Sequence, residues 1–481
     1  MTILSHGLKF VVSIVATAIL ARLLTPGDYG LIGMVAVATN FVSIFKDLGL
    51  SLATVQSAEI SSEQITTLFW VNVSLSAAIT ILMVAFAPAI SWFYREPRLT
   101  GITIVTSLGF VLGGLAVQHE ALLKRQMRFF ALSAIAFAST IIGYGVGIVL
   151  AWYGVRYWAL VFSQLALLAA NALGVWVWCG WRPGRPKPNS GVRSLLTFGG
   201  NITGYALINY FSNNSDNILI GRSWGSQALG LYNKAAQLLG LPTDQINEPL
   251  ASVAIPALSR LSHFPERYLQ AYLRITEKIL LLTMPAITLM IATADWLVLI
   301  VLGPQWGDTA RIFVFMGIAG LFQPLISTAG WLFVSQGRAR HMLYWSMVNA
   351  PISILAVMAG LPWGAVGVAA SYSLTRLLIL NPLLCWYVAR EGPVRALDFY
   401  RLMAPFTLAS ICSLSTCLLL RRLVPFGTPV VGFFASAAAV ALTTFLVLLL
   451  VPSGRSVLLD VLHSLRLLKL GRAKKGSGEY Q

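Results

Sequence analysis

Residues 209–239 read NYFSNNSDNILIGRSWGSQALGLYNKAAQLL. An apolar span carrying Asn213, Asn214, Asp216 and Asn217 runs into a short polar turn from Arg222 to Gln227. A second span opens at Ala228 with Leu229-Gly230-Leu231-Tyr232. Amide and carboxylate groups in a membrane-length segment must find partners inside the protein, because hydrocarbon offers none. The stretch therefore reads as a lining.

The whole chain shares this apolar character. Of 481 residues, 57% are hydrophobic and 11% charged, with mean hydropathy +0.76. A soluble domain carries about 25% charged residues, so too few remain here to clothe a wet surface. Apolar runs of roughly 20 residues, the length that spans a bilayer as helix, recur throughout. The alternating pattern of a lipid-facing barrel is absent, which leaves helix as the spanning structure. The reading is an all-α integral membrane protein with about fourteen transmembrane helices. Cys179, Cys385, Cys412 and Cys417 lie in apolar spans without metal-ligand spacing, as small buried hydrophobes do. No P-loop, HExxH or GxSxG signature occurs, and neither an enzyme nor a cofactor is expected.

Net charge is +17. The basic residues cluster in short connections rather than in a nucleic-acid-binding face. With the N-terminus inside, inner connections collect Lys124, Arg125, Arg128, Arg182, Arg185, Lys187, Arg338 and Arg340. Arg22, Arg95, Arg98 and Arg222 fall outside. This asymmetry predicts an N-in, C-in topology with an even span count.

An internal repeat organises the chain. At an offset of 200 residues Arg22 falls on Arg222, Gly30 on Gly230 and Leu31 on Leu231. At an offset of 210, Gln126 falls on Gln336, Arg128 on Arg338, Gly154 on Gly364 and Ala159 on Ala369. Six spans per half is an even number, so the halves enter the membrane in the same direction, a parallel repeat with substrate between the lobes. The expected domains are an N-terminal lobe at 1–180, a basic cytoplasmic linker at 181–194 and a C-terminal lobe at 195–390. Two further spans follow at 391–452 and a basic cytoplasmic tail at 453–481. Leu458, Val461, Leu462, Leu465 and Leu468 give that tail helical spacing, read equally well as a surface helix on anionic lipid or a disordered tail.

Ionisable groups inside spans are the candidate site residues, since each costs about 2.5–3.5 kcal/mol at a helix centre on insertion scales. Lys46, Lys234 and Arg376 are the cations suited to a phosphate, Arg376 with a planar fork. Lys46 also suits snorkelling to the inner headgroups. Asp216, Asp47, Asn213 and Asn217 are candidates for a coupling ion or a sugar hydroxyl, against the plainer role of an Asp satisfied by neighbouring Asn side chains. Tyr205, Tyr210, Trp224, Tyr232, Trp331, Trp345 and Tyr372 could stack on sugar rings, although interfacial anchoring is the commoner task. No metal-ligand cluster is expected.

The segment NSDNILIGRSWGSQALGLYNKAAQLLGLP, with AIPALSRL at 254–261, ILARLLTPGDYGLIGMVAVATNF at 19–41 and DLGLSLATVQ at 47–56, resembles the polysaccharide transporter branch of the multidrug/oligosaccharidyl-lipid/polysaccharide exporter superfamily. The resemblance runs over nearly the whole chain. It implies a Wzx-type flippase of the bacterial inner membrane that moves undecaprenyl-pyrophosphate-linked oligosaccharide for O-antigen, capsule or exopolysaccharide assembly. It also implies drive by an ion gradient, H+ or Na+, and a polysaccharide polymerase and chain-length regulator as partners. Family members begin with a polar segment before the first span, so an upstream start by one or two helical turns is expected. An ion-coupled drug exporter on the same scaffold is the alternative. A membrane polymerase or ligase fits less well, because such enzymes carry a large outer loop.

Overall fold

A computed structural model of the chain describes residues 2–44, 54, 61–185 and 193–460. Lys46, Asp47, linker residues 186–192 and the tail beyond residue 460 lie outside the described residues. What is described is helical: α1 Thr2–Leu23, α2 Pro26–Ser43, α3 Ser62–Tyr94, α4 Arg98–Arg125, α5 Phe129–Trp152, α6 Tyr157–Cys179, α7 Arg193–Leu261, α8 Pro265–Ala292 and α9 Ala294–Val301 come first. After them run α10 Gly307–Gly320, α11 Gln323–Ser335, α12 Ala339–Gly360, α13 Gly364–Thr375, a π-helical turn Arg376–Leu380, α14 Asn381–Ala389, α15 Ala396–Leu423 and α16 Pro429–Leu450.

Eight of the described helical segments are long and apolar enough to cross a membrane, and counting two bent pairs gives up to ten. The figure of fourteen is thus not reached by this criterion. The two spans expected on either side of the Arg222–Gln227 turn are the two arms of α7, which kinks between them at Gly225 (φ 77°, ψ −174°). Glycine is the residue that takes such a left-handed φ without a Cβ penalty.

The chain divides into two compact units. The first comprises Met1–Asn233, Val301–Trp306 and Leu361–Ala365. Its helices start on local chemistry. Thr25 and Asp28 form a capping box at the head of α2, with the Asp28 carboxylate accepting from the Thr25 backbone N–H at 3.0 Å and its hydroxyl at 2.7 Å. Ser61 and Gln64 do the same for α3. α3 packs on α4, and α5 on α6. Gly143 and Gly147 lie against Ser163, whose hydroxyl donates to the Gly143 carbonyl at 2.8 Å, the close helix approach that small residues permit.

Within this unit the first helical hairpin of each half meets the other. A methyl group at Gly30 would overlap the Ser226 carbonyl, and one at Gly230 would overlap the Pro26 carbonyl. A methyl at Gly33 would sit 2.5 Å from the Asn233 side-chain nitrogen. At an offset of 200 these contacts map onto one another: 26 onto 226, 30 onto 230, 33 onto 233. Such an exchange is what a two-fold relation between halves produces. The ends of the hairpins are also held by later segments. Gln305 Nε2 donates to the Ala21 carbonyl at 2.6 Å and Trp306 Nε1 to the same oxygen at 2.8 Å. Trp224 Nε1 donates to the Leu361 carbonyl at 2.8 Å. These indole and amide donors satisfy carbonyls that a helix end leaves open.

The second unit comprises Lys234–Ile300, Gly307–Gly360 and Val366–Gln481. Its core gathers on α8, where Tyr268 bonds Ser335 at 2.6 Å and Tyr272 bonds Thr328 at 3.2 Å, all buried. α15 and α16 pack on this helix and on each other. Ion pairs fasten them at both ends. Arg421 makes a bidentate pair with Asp295 (3.0 and 2.5 Å) over the Trp296 ring, and Lys278 pairs with Asp460 at 3.1 Å.

Candidate functional site

Arg376 occupies the middle of a membrane-length helical run. The 12 residues of α13 precede it, which sets it about 18 Å from the Gly364 end. The remainder of the π-helical turn and the nine residues of α14 follow. A π turn inserts an extra residue and re-aims the side chains around it, and such turns occur often at functional sites. Pro382 stands just after it, where the missing N–H frees the helix from a regular ladder.

Two neutral groups hold the half-buried guanidinium. Nη1 donates to Gln323 Oε1 at 2.8 Å, and the cation lies 4.9 Å from the Tyr372 ring centroid. Gln323 is the first residue of α11, directly after the 44° bend that separates α11 from α10. Among the described residues Arg376 has no carboxylate partner. Arg421, Lys278 and Arg98 each have one. A cavity of about 410 Å³ in the same unit is lined by Phe322, Leu325, Leu377, Asn381 and Phe399 among others. It is almost wholly apolar, and Arg376 and Gln323 are immediate chain neighbours of its wall.

Asp216 belongs to the first unit. The break at Gly225 folds the two arms of α7 against each other, so that the buried Tyr232 hydroxyl donates to Asp216 Oδ2 at 2.8 Å. Asp216 Oδ1 accepts from the Asn217 backbone N–H at 2.8 Å. Asn214 donates to the Tyr210 carbonyl at 2.9 Å, and Tyr210 OH donates to the Val37 carbonyl. Asn217 Oδ1 is buried without a hydrogen bond, and Asn213 is exposed. A tyrosine hydroxyl and a backbone N–H are thus among the groups that hold the carboxylate.

Lys234, buried at 6% exposure, belongs to the second unit and donates to Gln237 on its own helix at 2.8 Å. The expected site residues therefore fall in separate places: Asp216, Asn213 and Asn217 in one unit, Lys234 and Arg376 in the other. Lys46 and Asp47 lie outside the described residues. Sequence reading missed Gln323 altogether. The only trace of it is Pro324, the breaker that follows it. No group of His, Cys, Asp or Glu among the described residues is arranged to hold a metal ion.

Helices of membrane length in this number define a multi-pass membrane protein. The fold is similar to that of the solved "Lipid II flippase MurJ, inward closed conformation", with a TM-score of 0.74 at 13% identity over 93% of this chain and 97% of that one. The family described as "Polysaccharide biosynthesis protein" matches residues 19–311, and the chain belongs to it. It is 25% identical to the teichuronic acid biosynthesis protein TuaB of Bacillus subtilis over 83% of each chain. It is 23% identical to the lipopolysaccharide biosynthesis protein WzxC of Escherichia coli, over 78% of this chain and 76% of that one.

Proposed function

We propose that this chain is a flippase that carries polyprenyl-pyrophosphate-linked oligosaccharide across the bacterial cytoplasmic membrane by alternating access, supplying O-antigen, capsule or exopolysaccharide assembly. The observation that carries this reading is Arg376: a mid-membrane guanidinium with neutral partners only, in a chain of the polysaccharide biosynthesis family. An uncompensated cation at that depth is costly, and a pyrophosphate is the group it would repay. A drug exporter would want carboxylates there instead. The lobes at 1–180 and 195–390 rock about the headgroup, linked by 181–194, while 391–452 stays with the second lobe. The tail at 453–481 and the N-terminus are cytoplasmic. Lys234 and Lys46 add attraction for phosphate. Asp216, with Asp47, Asn213 and Asn217, takes the coupling H+ or Na+ or a sugar hydroxyl. A polysaccharide polymerase and a chain-length regulator take up the product.

Deletion in the native host tests the reading. Lipid-linked oligosaccharide is expected to accumulate on the cytoplasmic leaflet, and the wild-type chain to restore surface polysaccharide. Arg376→Gln is expected to restore it at least tenfold less well at equal membrane abundance. Full polysaccharide in the deletion strain would refute the function, and full rescue by Arg376→Gln would remove that residue from it.

A further inference from the structure

We propose that Gln323 is a positioning residue for the substrate's pyrophosphate, a role that rests on the reading of Arg376 given above: its neutral amide fixes the direction of the guanidinium without cancelling its charge. A fixed guanidinium can be bought in two ways inside a membrane. A carboxylate partner makes the strongest bond, a bidentate pair, but it occupies the fork and neutralises it. A neutral acceptor fixes one N–H and leaves the remaining donors and the whole charge for an incoming anion. The Arg421–Asp295 pair is the first arrangement; Arg376–Gln323 is the second.

Three features of the structure converge on this residue. Gln323 Oε1 holds a single nitrogen, Nη1, at 2.8 Å, which leaves Nη2 and Nε free of protein acceptors among the described residues. Tyr372, four residues before Arg376, sets its ring 4.9 Å from the guanidinium carbon, a neutral contact that leaves the charge and the fork for a phosphate oxygen pair. Gln323 stands at the first position of α11, next to the bend from α10, so a change in that bend would carry the amide and re-aim the guanidinium with it. Phe322 and Leu377, the chain neighbours of the two residues, form part of the wall of the apolar cavity.

The discriminating variant is Gln323→Glu. It is nearly isosteric and turns the neutral bond into an ion pair. A merely structural bond would be strengthened, and function kept. If the amide serves to leave the charge uncancelled, the built-in carboxylate competes with the substrate. The measurement is the Kd of the purified full-length chain for polyprenyl pyrophosphate in detergent micelles, together with its melting temperature. The expected result for Gln323→Glu is a Kd at least tenfold higher with an undiminished melting temperature. Gln323→Met, which deletes the acceptor without adding charge, is expected to raise Kd severalfold. On an Arg376→Gln background, Gln323→Glu is expected to add no further loss. A wild-type Kd in both Gln323 variants overturns the inference, whatever their melting temperatures. If Arg376→Gln weakens binding while the Gln323 variants do not, the flippase reading stands and this inference alone falls. If the wild-type chain does not bind polyprenyl pyrophosphate at all, it is the functional reading that fails.

Discussion

Asp216 and Arg376 show how far single residues can be read. Both were legible as candidates, because an ionisable side chain in an apolar run is conspicuous in any linear string. Their partners were not. Tyr232 stands 16 positions from Asp216 and Gln323 stands 53 positions from Arg376, and only the break at Gly225 and the bend before α11 bring them together. The Asn-rich run suggested Asn side chains as partners of Asp216; it gave no sign of the tyrosine hydroxyl that donates to it. Tyr232→Phe therefore deprives a carboxylate of a buried donor. It is expected to destabilise the chain by about 1.5–3 kcal/mol, read as a lower unfolding midpoint in detergent, with Tyr153→Phe, at an exposed tyrosine, as the comparison. An unchanged midpoint would mean that another group has taken over the bond.

At the scale of elements, the repeat was legible because glycine and arginine kept their spacing across an offset of 200. Its physical meaning was not, since a string shows that Gly30 and Gly230 correspond but not that each opposes the other half's carbonyl. That contact explains why glycine stands at both positions: a Cβ has no room against backbone, which cannot rotate aside as a side chain can. Gly30→Ala and Gly230→Ala are each expected to cost about 1–3 kcal/mol as overpacking does, measured by thermal unfolding. Gly7→Ala, in open space, should be nearly silent. Equal stability for all three would show that α2 and α7 separate freely. The π-helical turn had no such signature. Pro382 announced an irregularity near Arg376 but not its kind.

For the whole molecule, composition and run length were enough for the class, an all-helical membrane protein. The count of spans was less secure, because hydropathy cannot see that a membrane-length run bends by 44° between Gly320 and Gln323. The charge asymmetry gives a topology that can be checked directly. In a chain whose four native cysteines are replaced by alanine, Glu96→Cys lies in the turn between α3 and α4, and Arg185→Cys lies just after α6. An impermeant maleimide applied to intact spheroplasts is expected to label the first and to reach the second only after permeabilisation. The opposite pattern would invert the chain and, with it, the direction of transport.

The bonds from Gln305 and Trp306 to Ala21 set an order of assembly. The first helical hairpin leaves the ribosome well before its partners, and its carbonyl at Ala21 receives these donors only after some 280 further residues have been made. Leu361, the acceptor for Trp224, comes later still. The first compact unit is therefore completed by segments from the second half of the chain. Until they arrive, the early helices wait in the bilayer with unsealed ends, a window in which membrane proteases and insertion chaperones can tell an unfinished transporter from a finished one.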